Sequence, residues 1–295
     1  MIKVRIPATS ANLGSGFDSL GLAVTLYNYV FMEEADGAHI QAIDSVNIPT
    51  DETNLVYTTA RRLYEICGRP FYGMRILQEN NIPMARGLGS SSACIIGGLF
   101  GANELLGRPV GRDELINIAA TIEGHPDNVT PAILGGLVTT ALDGGKVLYV
   151  KQEIASDLRF VTLVPDFELQ TSVARAALPQ TVPYRDAVFN LSRAALMSVS
   201  LYSGKYENLR TAADDRLHQP YRLALIPGAE KAVAMAYELG AYASYISGAG
   251  STIMAIIADD NTAFETGAAK QLSYLGLDKW TVKSYSIDNS GTLVF

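Results

Sequence analysis

A chain of 295 residues, 48% of them hydrophobic, is long enough for one large domain or two and can bury a sizeable core. Its 23 basic and 30 acidic residues leave a net charge of −7, and no cluster of Lys and Arg forms, which argues against a general nucleic-acid surface. Two cysteines, Cys67 and Cys94, make neither a disulfide framework nor a cysteine metal site. No uninterrupted apolar run reaches the ~20 residues of a membrane span. Residues 1–7 pass from charge straight into small polar side chains, unlike a signal peptide, so a soluble, cytoplasmic chain is expected.

In chain order, residues 4–7 read as an opening strand, followed by a loop of small and polar residues over 8–18. Residues 20–33, with Tyr27, Tyr29, Val30 and Phe31, favour a strand. A helix is expected over 55–66, capped by Asp51, with Val56, Ala60, Leu63 and Cys67 on one face. Residues 76–82 look strand-like and run into a proline. Helices follow over 93–106 and 113–123, then the segment 124–131, whose His125-Pro126-Asp127-Asn128 reads as no more than a turn between helices with Asp127 as a cap. Strands over 137–142 and 146–150 flank a hairpin turn, Asp143-Gly144-Gly145.

The pattern resets near 154–159, which places a boundary between residues 1–155 and 156–295. Beyond it come a strand at 160–164 and helices at 173–178, 185–202 and 229–239. Strands at 243–246 and 252–258, a helix at 263–275 and a strand at 280–286 close the chain. Clustered strands and paired helices, without regular βαβ alternation, indicate an α+β fold.

The stretch that organises this chain is Pro83, Met84, Ala85, Arg86, Gly87, Leu88, Gly89, Ser90, Ser91, Ser92 and Ala93. Glycines let backbone approach a ligand closely. Free amides at a helix start, together with its dipole, favour an anion. Hydroxyls in that first turn can donate to phosphate or ligate Mg²⁺. The stretch reads as a phosphate-binding loop, or as a tight turn whose serines merely cap the helix. It is neither a Walker A sequence nor a dinucleotide fingerprint. Asn12 and Asp18 read equally well as turn residues, and Arg175 and Arg222 as surface cations.

The stretch resembles the ATP loop of the GHMP kinases. Two further segments are similar to family motifs in the expected order. Residues 7–21 resemble the N-terminal motif of the homoserine kinases, and residues 246–252, Ile-Ser-Gly-Ala-Gly-Ser-Thr, the C-terminal glycine motif. The resemblance implies an N-terminal domain like the second domain of ribosomal protein S5 and a ferredoxin-like C-terminal domain.

It further implies ATP and Mg²⁺ as cofactors, L-homoserine as substrate, and Asn12, Asn128 and Arg175 as catalytic residues. Asn12, Asp18, Asn128, Arg175, Arg222 and Gly248 would hold the amino acid, with Ser91 and Glu123 on the metal and Asn54 near adenine. Where mevalonate-type relatives carry an aspartate able to act as base, this chain has Asp127-Asn128, so transfer without a dedicated base is expected. A mevalonate- or sugar-type kinase, or a non-catalytic ligand sensor, stays open, as does a homodimer.

Overall fold

The computed structural model describes all 295 residues. The N-terminal half opens with an antiparallel pair, β1 (Ile2–Ala11) and β2 (Leu20–Glu34), whose register shifts between Pro7 and Ala8. Pro7 has no N–H to give the ladder, and a bulge there absorbs the loss. Then come β3 (Gly37–Ala42), α1 (Leu55–Ile66), β4 (Gly73–Glu79), α2 (Ser90–Leu105), α3 (Arg112–Glu123), α4 (Pro126–Leu134), β5 (Leu137–Asp143) and β6 (Lys146–Gln152). The long β2 serves two neighbours, β5 through Leu20–Leu22 and β4 through Tyr29–Glu34. The α2 helix is apolar almost all round and runs through the core, burying Ile95, Ile96, Leu99 and Ala102.

The C-terminal half contains β7 (Leu158–Val164), α5 (Thr171–Ala176), α6 (Tyr184–Ser203), α7 (Leu209–Ala212), α8 (Gln219–Leu223), α9 (Ala229–Glu238), β8 (Ala243–Ile246), β9 (Ile253–Ala258), α10 (Phe264–Tyr274) and β10 (Thr281–Tyr285). Its antiparallel sheet has the order β10-β7-β9-β8, the ferredoxin-like βαββαβ arrangement. The two faces of β9 separate by the strand period. Ile253, Ala255 and Ile257 pack with Phe264, Leu272 and Met235 beneath α9 and α10. Met254 and Ile256 face a 50-residue core continuous with the N-terminal half.

The 155/156 boundary lies between β6 and β7, hence between the two sheets. The chain end crosses back over it, because β11 (Leu293–Val294) pairs with β1. Other elements differ from expectation for local reasons. Residues 125–128 are not a turn but the cap and first turn of α4. Pro126 sits at the first helical position, where a missing N–H costs nothing, and Pro131 forfeits one helical bond. The α1 cap is Asn54 rather than Asp51, which instead accepts from Thr53. Strands β3 and β11 and helices α7 and α8 are short and carry too few residues for periodicity to show.

Candidate active site

The Pro83–Ala93 stretch closes against both halves of the molecule. Its Leu88 carbonyl accepts from Thr9 N (3.1 Å), and the Arg86 carbonyl from Thr252 N (3.1 Å). Ser247 Oγ donates to the Gly87 carbonyl at 2.6 Å and pairs with Ser10 Oγ at 2.8 Å. The three sequence motifs are therefore laced into one unit. Two glycines make this closeness possible. At Gly87 (φ +75°) a Cβ would lie 2.1 Å from the Ser247 carbonyl oxygen, and at Gly89 (φ +73°) 2.1 Å from Thr9 Oγ1.

Gly89 is the α2 N-cap in the left-handed region and supplies no side-chain cap, so amides of the first turn stay free for a ligand. The serines do not cap the helix. Ser91 Oγ donates to Glu123 Oε2 and Ser92 Oγ to Glu123 Oε1, both at 3.0 Å. Glu123, at the end of α3, thus stands over the helix start with both oxygens fixed.

A cleft of about 580 Å³ opens in front of this helix start. Its wall includes Asn12, Asp18, Ala85, Arg86, Gly87, Gly89, Ser90, Ser91, Glu123, Asn128, Arg175, Arg222 and Gly248. Pro83, Met84, Leu88, Ser92 and Ala93 lie off that wall. Leu88 and Ala93 are core residues, and Ser92 is buried behind Glu123. Asn54 stands apart from this cleft. Its oxygen accepts from Val56 N and its amide donates to Gln78 Oε1 and the Pro49 carbonyl, so the side chain is consumed in capping α1, away from the cleft.

Asn12 pins the two halves together. Its amide donates to the Gly248 carbonyl (2.8 Å) and its oxygen accepts from Asp18 N (3.0 Å). Both Asn12 and Asp18 adopt positive φ, which Asn and Asp tolerate better than most residues. Asn128 Oδ1 accepts from Thr9 Oγ1 at 2.7 Å, which leaves the Asn128 amide group toward the cleft with only a 3.5 Å approach to Asp127. Each carboxylate in the cleft is engaged. Asp18 takes a two-pronged bond from Arg175 (2.8 and 3.1 Å), Glu123 takes the serines, and Asp127, buried, takes His125 Nδ1 at 2.8 Å. Burial disfavours charge on His125, but the Asp127 carboxylate outweighs it and raises the imidazole's pKa.

Arg222 breaks this pattern. It is 1% exposed and has no carboxylate within 4 Å; it donates to the Gly248 carbonyl (3.0 Å) and, weakly, to Ala174 O and His218 Nδ1. Burial, and after it the Arg175 cation, push its pKa down to about 10. Phe17 lies under both guanidinium groups, 5.1 Å from Arg222 and 5.6 Å from Arg175, and stacks on His218. Sequence reasoning gave His125 and Asp127, both on the cleft wall, no ligand-facing role, and Phe17, which packs against the two guanidinium groups, no role at all. Phe17 lay inside the quoted N-terminal motif, where only its polar neighbours drew a chemical reading.

The family follows from comparison with known proteins. Residues 54–136 match the GHMP kinases N terminal domain model and residues 197–269 the GHMP kinases C terminal model. The chain belongs to the GHMP kinase family. Over its full length it is 45% identical to the homoserine kinase of Clostridium beijerinckii, covering 98% of that protein, and 45% identical to that of Caldicellulosiruptor saccharolyticus, covering 97%. The crystal structure of homoserine kinase from Cytophaga hutchinsonii superposes with a TM-score of 0.89 at 28% identity, covering all of this chain and 97% of the other.

Proposed function

We propose that this chain is a homoserine kinase: it moves the γ-phosphoryl group of ATP to the side-chain hydroxyl of L-homoserine, giving O-phospho-L-homoserine and ADP on the route to threonine. The observation that carries the substrate is Arg222, a buried cation without an anion on a wall of the cleft. A planar guanidinium holds a carboxylate by two parallel hydrogen bonds. An amino acid supplies that carboxylate, whereas a sugar or an isoprenoid alcohol does not present one beside the reacting hydroxyl.

The Arg175–Asp18 pair holds the place of the amino acid's two charges. A zwitterion entering between them gives its ammonium to Asp18 and its carboxylate to Arg175 and Arg222. Both partners of that pair are more than a third exposed, so exchanging it for the zwitterion costs little. Asn128 then orients the hydroxyl toward the γ-phosphate. No carboxylate in the cleft is free to take the hydroxyl proton, which suits a loose transition state driven by positioning and charge stabilisation. The nucleotide phosphates sit on the free amides of α2.

The donors at the helix start fit Mg²⁺: one carboxylate and one hydroxyl, both hard oxygens, leave room for phosphate oxygens to complete the shell. Glu123 and Ser91 would hold it, and its chemistry is neutralisation of the charge shared by the β- and γ-phosphates. Residues 1–155 form the nucleotide half of this reading, and 156–295 bring the carboxylate-reading arginines. No helix is long and apolar enough to cross a membrane; in this reading the enzyme works in the cytoplasm.

A coupled ADP-release assay against homoserine, mevalonate, galactose and threonine tests the assignment. Turnover with homoserine above the others is expected. Turnover of another alcohol with none of homoserine refutes it, and ligand binding without any turnover leaves a sensor.

A further inference from the structure

Thr9 of β1 is fully buried, and its hydroxyl makes a single hydrogen bond, to Asn128 Oδ1 in the first turn of α4 at 2.7 Å. Its backbone N–H donates to the Leu88 carbonyl of the glycine–serine loop at 3.1 Å. The adjoining Gly89 leaves room for this contact, because a Cβ there would lie 2.1 Å from Thr9 Oγ1 and 3.4 Å from Asn128 Oδ1. One strand residue therefore touches both the loop that begins α2 and the amide that borders the cleft.

A carboxamide is nearly symmetric in shape, and turning it over exchanges an acceptor for two donors. Two contacts break that symmetry at Asn128. Thr9 Oγ1 has no other acceptor for its proton, so a reversed amide would leave a buried hydroxyl proton unbonded. Asp127 Oδ1 lies 3.5 Å from Asn128 Nδ2, and reversal would set the amide oxygen against that carboxylate. Both contacts hold the oxygen inward on Thr9 and the NH2 group outward. Resting on the kinase reading above, we propose that Thr9 is a positioning residue for the transfer. Acting through Asn128, it makes the acceptor hydroxyl meet an N–H donor and not a carbonyl oxygen.

The direction of attack follows from this. A hydroxyl oxygen that accepts the Asn128 N–H uses one lone pair there and keeps the other for the γ-phosphorus, with its O–H bond turned away from Asn128. A reversed amide would draw the O–H bond to itself and swing the lone pairs off line. In this reading positioning carries the reaction, and displacing a reacting atom by about 1 Å can cost on the order of 10²-fold in rate. Thr9 touches no reacting atom. Its effect is on where the reacting oxygen sits, and so on kcat.

Steady-state kinetics on the full chain with ATP, Mg²⁺ and L-homoserine tests this. Thr9→Ala is expected to lower kcat about 10–100-fold while the KM for ATP stays within about threefold. Thr9→Val, which keeps the bulk and loses the donor, should fall as far. Thr9→Ser, which keeps the donor, should stay within about threefold of the wild type. L-2-aminobutyrate is homoserine without its hydroxyl and has no group for Asn128 to orient. As a competitive inhibitor it should therefore bind Thr9→Ala and the wild type alike, which a general loosening of the cleft would not allow. In an Asn128→Ala background, Thr9→Ala should lower kcat by less than about threefold more. An unchanged kcat in Thr9→Ala and Thr9→Val, or a Thr9→Ser as slow as Thr9→Ala, overturns the proposal and leaves the kinase assignment standing. So does a matching loss of 2-aminobutyrate affinity, or full additivity with Asn128→Ala. A wild type without homoserine turnover overturns that assignment and the proposal with it.

Discussion

Arg222→Met separates what the cleft gains from what the fold tolerates. The side chain is 1% exposed, no carboxylate lies within 4 Å, and three neutral acceptors at 3.0–3.4 Å are all that offset its charge. Burying an ion without a counter-ion costs several kcal/mol, and a flexible apolar side chain of similar length removes that cost. The Gly248 carbonyl keeps its 2.8 Å bond from Asn12, so only the weak bonds to Ala174 and His218 are lost, at about 1 kcal/mol each.

The variant is therefore expected to melt no lower than the wild type. Ligand binding moves the other way. Losing one charged, two-pronged contact to the substrate carboxylate costs about 3–4 kcal/mol, or roughly 10²–10³-fold in affinity for the amino acid. In the proposed reading ATP sits on the α2 side of the cleft, so its KM should change less than about threefold. Initial-rate kinetics with each substrate varied, alongside a thermal melt, reads all three numbers. Equal loss for ATP and amino acid, or a large drop in Tm, would show that Arg222 is a strut of the fold and not a reader of the carboxylate.

Gly89→Ala forces a Cβ to within 2.1 Å of Thr9 Oγ1 at φ +73° and pushes Thr9 off Asn128; a loss of about 1–3 kcal/mol in stability and a much larger fall in kcat are expected, eased by adding Thr9→Ala. Ser92→Ala leaves the cleft wall untouched but frees one Glu123 oxygen, so the apparent Mg²⁺ affinity should drop about 10–100-fold with little change in the amino-acid KM, read from a Mg²⁺ titration at saturating substrates.

His218 is buried, and burial, followed by the Arg222 cation, lowers its pKa against the pull of Asp215 and Asp18; Nε2 donates to the Gly14 carbonyl and Nδ1 faces Arg222. The folded chain thus keeps His218 neutral while the unfolded chain takes a proton in the ordinary histidine range. Its contribution is present above that range and is lost as pH falls, by up to about 1.4 kcal/mol per pH unit. His218→Gln should flatten that part of the stability-versus-pH curve, and an unchanged slope counts against the assignment.

The chemistry-bearing motifs were legible because each is a run of unusual residues whose spacing is local: the glycine–serine loop, the Asn12 to Asp18 loop and the glycine turn at 246–252. What joins them was not. Nothing in sequence puts Ser247 on the Gly87 carbonyl, 160 residues away, or makes Ser92 a clamp on Glu123 instead of a phosphate donor. Long periodic helices such as α1 and α6 show in the pattern, whereas α4 was hidden by two prolines that a helix can accept at its first turn and at one sacrificed bond. Asn54 shows why a side chain's role is hard to read from sequence alone. An asparagine at a helix start serves a ligand or a cap with the same atoms, and only its neighbours decide which.

The return of β11 to β1 ties the two chain ends together, with Lys3 and Phe295 exchanging both backbone bonds at 3.1 and 2.9 Å. During synthesis, β1 emerges long before β11 and keeps a bare edge until β11 joins it. The first sheet can therefore be completed only once β11 is made, and in that interval β1 can pair with the wrong chain. The same closure means the ends could be joined by a short linker and the chain reopened elsewhere without parting any strand from its neighbour.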